Sequence, residues 1–120
     1  MSSHGLLVKN VVNASGQLIE IEVTGEVITQ MSASVQSDFP IFDGQGLLVL
    51  PGLVDLHTHL REPGKEDSET VLSGSQAAAR GGYTAVSAMA NTFPVADTAG
   101  VVEQVARLGK EAGQIGRAHV

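Results

Sequence analysis

The sequence predicts an α/β protein in which a β-rich first part leads into two β-loop-α units, and three observations carry this. Ile19, Ile21 and Val23 alternate with Glu20, Glu22 and Thr24, the period of two that marks a half-buried strand. Leu47 to Leu50 and then Leu53 to Leu56 form a nearly continuous apolar stretch, as in a parallel strand buried on both faces. Beyond it, apolar residues recur at helical, then strand, then helical spacing. The order β-loop-α-β-loop-α is the grammar of a parallel barrel or a doubly wound sheet.

The elements follow in order. Leu6 to Val12 is an apolar-leaning strand that ends at the turn Ala14-Ser15-Gly16. The alternating strand from Ile19 to Thr24 stops at Gly25-Glu26, and Val27 to Met31 gives a third short strand. Ser32 to Pro40 is polar and reads as loop, and Asp43-Gly44-Gln45-Gly46 as a turn. Asp67-Ser68 offers N-cap chemistry for a helix over Glu69 to Arg80, which Gly81-Gly82 ends. Thr84 to Ala90 is a second buried strand of small and β-branched residues. Asp97 or Thr98 caps a second helix in which Val101, Val102, Val105, Leu108 and Ala112 share a face, and Gly113 stops it.

Composition excludes several classes of function. With 42% hydrophobic residues in 120, the chain suffices for one ordinary domain, but aromatics are only 3%, so Val, Leu, Ile and Ala must build the core. The formal net charge of −6, without a Lys or Arg cluster, argues against nucleic acid as a partner. There is no cysteine, so neither disulfides nor thiolate metal ligands are available. The N-terminus has no signal-peptide pattern, and no apolar run approaches the ~20 residues that span a bilayer. A cytoplasmic protein with no membrane association is the expectation.

The chemistry lies in Pro51-Gly52-Leu53-Val54-Asp55-Leu56-His57-Thr58-His59-Leu60-Arg61-Glu62-Pro63-Gly64. If the extended run persists that far, Leu53, Asp55, His57, His59 and Arg61 share one face, because strand side chains repeat every two residues. His57 and His59 then form a metal-binding pair. Imidazole suits zinc, which takes three or more protein ligands, and this stretch supplies two. Asp55 either orients a ligand or is a buried polar residue near the floor of the barrel. Arg61 offers a forked donor for a carboxylate. Asn91, after the next strand, adds a neutral donor, although by itself it reads as a turn residue. Both the His pair and Asn91 fall where parallel α/β folds keep their function, on the loops after the strands. The acidic cluster Glu62, Glu66, Asp67 and Glu69 reads as loop and helix N-terminal charge rather than a catalytic pair.

Residues 51–64 resemble the signature of dihydroorotase in the amidohydrolase superfamily. Ala77-Ala78-Ala79-Arg80-Gly81-Gly82-Tyr83-Thr84 and Met89-Ala90-Asn91-Thr92 carry the same resemblance. It covers Val49 to about Asp97 strongly and the N-terminal strands more loosely. Ala90 departs from the family pattern, which has Pro there. Allantoinase-like sequences carry Asn in place of Arg61, and hydantoinase-like ones lack the Arg-x-Pro-Gly continuation. The fold implied is the first βα units of a (β/α)8 amidohydrolase barrel, 49–113, preceded by part of a small β-domain, 1–48. It is incomplete, since such a barrel needs about 250 residues.

The resemblance also implies an activity: a zinc enzyme, with two ions per complete site, that interconverts N-carbamoyl-L-aspartate and dihydroorotate in pyrimidine synthesis. His57 and His59 bind the more buried zinc, and Arg61 and Asn91 hold the substrate's α-carboxylate. No catalytic residue is assigned here, because the family's proton-shuttling aspartate and remaining ligands come later in its sequences. The implied partners are the small-molecule substrate and, at full length, a second copy or another pyrimidine-pathway protein. The 120-residue chain is therefore expected to be an inactive N-terminal fragment. Two alternatives are a truncated, non-catalytic relative that packs against another protein, and a different cyclic-amide hydrolase of the allantoinase or hydantoinase type. Residues 114–120 lack the pattern of a third barrel strand and match an in-frame reading of a common sequencing-library adapter. They are expected to be a non-native tail in which His119 is no ligand.

Overall fold

The computed structural model describes residues 4–112. The expected stop at Gly113 and the expected non-native tail at 114–120 lie outside the described residues. The chain divides into two compact units, Met1–Pro51 and Gly52–Val120.

The first unit is a four-stranded sheet of β1 (Gly5–Val12), β2 (Leu18–Thr24), β3 (Val27–Ser32) and β4 (Ile41–Asp43), in the order β3-β2-β1-β4. β1, β2 and β3 form two antiparallel hairpins, and β4 lies parallel to β1. At the first turn the Asn13 side-chain oxygen accepts the Ser15 and Gln17 N–H groups at 2.9 and 3.0 Å, an Asx turn completed by Gly16 at φ 80°. The second turn sits on Gly25 at φ 61°. Val11, Ile19 and Ile21 form the core of this sheet, with Val8, Val23 and Val49 packed against it.

Two features differ from the sequence expectation. The face bearing Glu20 and Glu22 is not simply solvated. The segment after β3 folds back so that Val35 is only 2% exposed, and its N–H donates to Glu20 Oε2 at 2.8 Å. Glu22, 9% exposed, accepts the Thr29 hydroxyl at 2.7 Å. Hydroxyl donors from Ser37 and Thr29 hold its carboxyl below the usual range. The second difference concerns Leu47 to Leu50, expected to lead into the barrel strand. Val12 donates to the Leu47 carbonyl at 2.9 Å and accepts from Val49 N–H at 2.8 Å, so this run continues the first sheet. The unit boundary consequently falls after Pro51 rather than after residue 48.

The second unit contains β5 (Leu53–Thr58), α1 (Val71–Arg80), β6 (Tyr83–Ala88) and α2 (Ala99–Glu111). β5 and β6 pair in parallel across α1, a βαβ unit. α1 starts later than expected, with Thr70 rather than Asp67 or Ser68 as its cap. The Ser68 and Glu69 N–H groups turn back to the Lys65 carbonyl, and Thr70 and Ser73 then form a reciprocal capping box. Gly81 caps its C-terminus. In α2, Thr98 is the N-cap residue but makes no side-chain capping bond. Leu60, Val71, Val86, Ala88 and Val105 are the buried core, lined further by Ala78, Tyr83, Leu108 and Ala112. Of the predicted α2 face, Val105, Leu108 and Ala112 enter this core.

The expectation that β5 is buried on both faces is not met. Leu53, Val54 and Leu56 are 48, 58 and 76% exposed. A parallel strand is covered twice only when strands flank it and helices pack on both faces. Among the described residues β5 has one strand neighbour, and the core gathers on Val86 and Ala88 of β6. No helix among the described residues is long and apolar enough to cross a membrane.

Candidate functional site

β5 and β6 run parallel, so their C-terminal ends emerge side by side, and the loops that follow them meet. The ladder extends one bond beyond the strands, from Met89 N–H to the Thr58 carbonyl at 2.9 Å. Further out, Phe93 N–H donates to the Pro63 carbonyl at 3.0 Å. Gly64 allows this closeness. It sits at φ 106°, and a Cβ there would come within 2.4 Å of the Phe93 carbonyl oxygen. The two loops are laced together mainly by backbone.

His57 is the penultimate residue of β5 and His59 lies just beyond the strand, which ends at Thr58. The strict period of two therefore does not extend to His59 and Arg61. Leu60 instead turns inward to 4% exposure and anchors the loop in the core. The two imidazoles still converge, with ring centres 5.0 Å apart and planes inclined by 64°. Two imidazoles that share one tetrahedral zinc, each nitrogen about 2.1 Å from the ion, hold their ring centres roughly 5 Å apart. The ring separation is thus compatible with both rings serving one zinc, and it is equally that of an ordinary edge-to-face contact. Among the described residues no group of three or more His, Cys, Asp or Glu is gathered for a metal.

Neighbouring groups brace this pair. The Asp55 carboxylate accepts the His57 backbone N–H at 2.9 Å, which holds its carboxyl below the ordinary value. Asp55 is half-buried, and this bond is to the His57 backbone rather than to its imidazole. Asn91 Oδ1 lies 2.9 Å from His59 Nδ1, joining the two loops through side chains. Arg61 is exposed on the same loop, and its carbonyl accepts the Lys65 N–H at 2.9 Å.

Sequence reasoning placed Glu62 with the loop charges and missed what it does. Its Oε2 accepts Val71 N–H at 2.8 Å, one of the unpaired amides at the start of α1. The carboxylate therefore ties the loop after β5 to the helix that follows. Glu66 similarly accepts Gly64 N–H at 2.8 Å, which holds its carboxyl below the usual range. The usable signal was an acidic residue shortly before a capping box. Arg61, Glu62 and Gly64 then read as one exposed donor followed by two anchors.

Comparison with known proteins places these residues in context. The family described as Dihydro-orotase-like matches residues 46–117. A dihydroorotase of Streptomyces coelicolor is 59% identical over 99 residues, covering 82% of this chain and 23% of that protein. One from Leifsonia xyli is 53% identical over 114 residues, covering 94% and 26%. One from Bacillus subtilis is 49% identical over 110 residues, covering 88% and 26%. The chain thus spans about a quarter of the length of these curated relatives. Among solved structures, L-hydantoinase (dihydropyrimidinase) from Arthrobacter aurescens superposes with a TM-score of 0.69 at 25% identity, covering 87% of this chain and 24% of that one. Dihydropyrimidinase from Brevibacillus agri NCHU1002 gives 0.62 at 32% identity, covering 72% and 20%.

Proposed function

This chain belongs to the dihydro-orotase-like family, and we propose from that premise that it carries the first metal ligands and the carboxylate-binding residues of a zinc-dependent dihydroorotase. The reaction is the interconversion of N-carbamoyl-L-aspartate and dihydroorotate in pyrimidine synthesis, in the cytoplasm. The observation that carries the reading is the convergence of the His57 and His59 rings at the end of β5.

His57 and His59 hold one of two zinc ions. Zinc, when bound there, supplies Lewis acidity toward the ring amide carbonyl and lowers the pKa of water. The protein residues do the positioning. Arg61 presents a planar fork to the substrate's α-carboxylate, the geometry in which guanidinium and carboxylate pair best. Asn91 adds an amide N–H from the neighbouring loop. Asp55 keeps the backbone of His57 in place. The remaining ligands and the proton-shuttling aspartate implied by the family have no counterpart gathered at the site among the described residues. With two ligands gathered, the 120-residue chain assayed by itself is expected to turn over no dihydroorotate and to bind zinc weakly.

The solved neighbours bear hydantoinase and dihydropyrimidinase names, which makes another cyclic-amide hydrolase the second reading. Arg61 favours dihydroorotase, because a substrate with an α-carboxylate needs a cationic fork and an uncharged ring amide does not. A grafting experiment tests both. The aligned first quarter of the Streptomyces coelicolor dihydroorotase is replaced by this chain, and the chimera is assayed on dihydroorotate and on 5,6-dihydrouracil, the same ring without the carboxylate. Dihydroorotate turnover that His57→Ala abolishes, and that Arg61→Met lowers chiefly through KM, is expected. A folded chimera that hydrolyses only the uncharged ring would overturn the assignment. One inert toward both would bring forward the reading as a non-catalytic partner protein.

A further inference from the structure

We propose that Asn91 is a positioning residue that sets the tautomer of His59, so that this imidazole offers Nε2 to the metal. A neutral imidazole carries one proton on either of two nitrogens, and only the other nitrogen can act as a ligand. The atom of Asn91 that faces Nδ1 of His59, at 2.9 Å, is its side-chain oxygen. An amide oxygen only accepts, so Nδ1 must donate and the lone pair is left on Nε2. In water the neutral histidine side chain prefers the opposite arrangement, with the proton on Nε2. Without a fixed acceptor, His59 would have to move its proton before it could bind a metal through that atom.

Asn91 is well placed for this task because the backbone around it is held on both sides. Met89 N–H is bound to the Thr58 carbonyl, Phe93 N–H to the Pro63 carbonyl and Ala96 N–H to the Ala90 carbonyl. The acceptor therefore waits at the ring and does not form on binding. Its amide nitrogen points to a second role compatible with the first: with Oδ1 on His59, Nδ2 remains to donate to the substrate carboxylate. One planar amide then bridges the ligand and the substrate. This extension rests on the dihydroorotase reading, whereas the tautomer does not.

The test is two-bond proton–nitrogen correlation on the metal-free 120-residue chain carrying 15N-labelled histidine, at alkaline pH and in low-salt buffer, where its net charge keeps the copies apart. His59 is expected with its proton on Nδ1. Asn91→Leu should move it to Nε2 and weaken zinc chloride binding, read by calorimetric titration, about 10- to 100-fold, the usual effect of losing a ligand's outer hydrogen-bond partner. Asn91→Asp, which keeps an acceptor, should retain both the Nδ1 tautomer and most of the affinity. A wild-type His59 protonated on Nε2 would overturn the proposal, since Asn91 would then be donating. So would an Asn91→Leu protein with unchanged tautomer and affinity. Should the leucine variant not fold, the wild-type and aspartate tautomers decide by themselves. A chain with the expected tautomer whose chimera turns over no cyclic amide would sink the function and leave this inference standing.

Discussion

Individual residues hold the candidate site with unequal force. Arg61 projects from the loop, whereas Gly64 two residues beyond Glu62 has no freedom to change. Its φ of 106° is strained for any side chain, and a Cβ would press into the Phe93 carbonyl. Gly64→Ala should therefore destabilise the second unit by about 1–3 kcal/mol. Gly82 provides the control, because it also has a positive φ, 84°, but nothing lies within 4 Å of an added Cβ. Urea unfolding of both variants should show Gly64→Ala as the more damaging. Equal losses would mean that the loops do not approach as closely as described. At this scale the sequence was informative about chemistry but not about contact. The His-x-His spacing and the position of Asn91 after a strand were readable, whereas the bond between His59 and Asn91 spans 32 positions and needs the folded chain.

At the scale of elements, the helices and hairpins were legible where a local signal was strong. Alternation in Ile19 to Thr24 and glycines at positive φ located β2 and its turns. The start of α1 was misplaced because Asp67, Ser68 and Thr70 all carry cap chemistry, and only the Lys65 carbonyl, which takes the Ser68 and Glu69 N–H groups, decides among them. Thr70→Ala should cost about 1 kcal/mol, within the usual range for a lost N-cap. Ser68→Ala should be nearly neutral. The difference is measurable as a shift in urea midpoint, and equal effects would return the cap to Ser68. β4 escaped notice for a different reason. Ile41–Asp43 is three residues long and owes its strand geometry to pairing with Leu7, Val8 and Lys9, far back in the chain. The run Leu47 to Leu50 was misassigned on the same grounds, since its partner is Val12 rather than the strand ahead.

For the whole molecule the salient quantity is the apolar surface left open. Leu53, Val54 and Leu56 on β5, and Val27, Ile28 and Met31 on β3, are all about half exposed or more. Open strand edges lined by such residues invite pairing with other chains. The net charge of −6 opposes this only at low ionic strength. The 120-residue chain should therefore self-associate at micromolar concentration in physiological salt, as read by sedimentation velocity, and Leu56→Lys should reduce it. A strictly monomeric wild-type chain would show that these faces are shielded in solution. The sequence announced strands with apolar faces. It was silent on which of them would find cover, because burial depends on neighbours that no local pattern specifies.

The lacing of the two loops has a consequence for how such a protein can change. Met89 to Thr58 and Phe93 to Pro63 are main-chain bonds, so they are indifferent to which side chains the bonded positions carry. Leu60, Glu62, Gly64, Thr92, whose buried hydroxyl donates to the Pro94 carbonyl, and Asn91 with its histidine are held by side-chain or steric contacts, which leaves exposed Arg61 and Phe93 as the rim positions free to vary. A library randomised at Arg61 and Phe93 should therefore contain many folded members, whereas adding Thr92 to it should lower that fraction. The chemistry of the rim can thus be changed one side chain at a time, and the architecture beneath is spared the search.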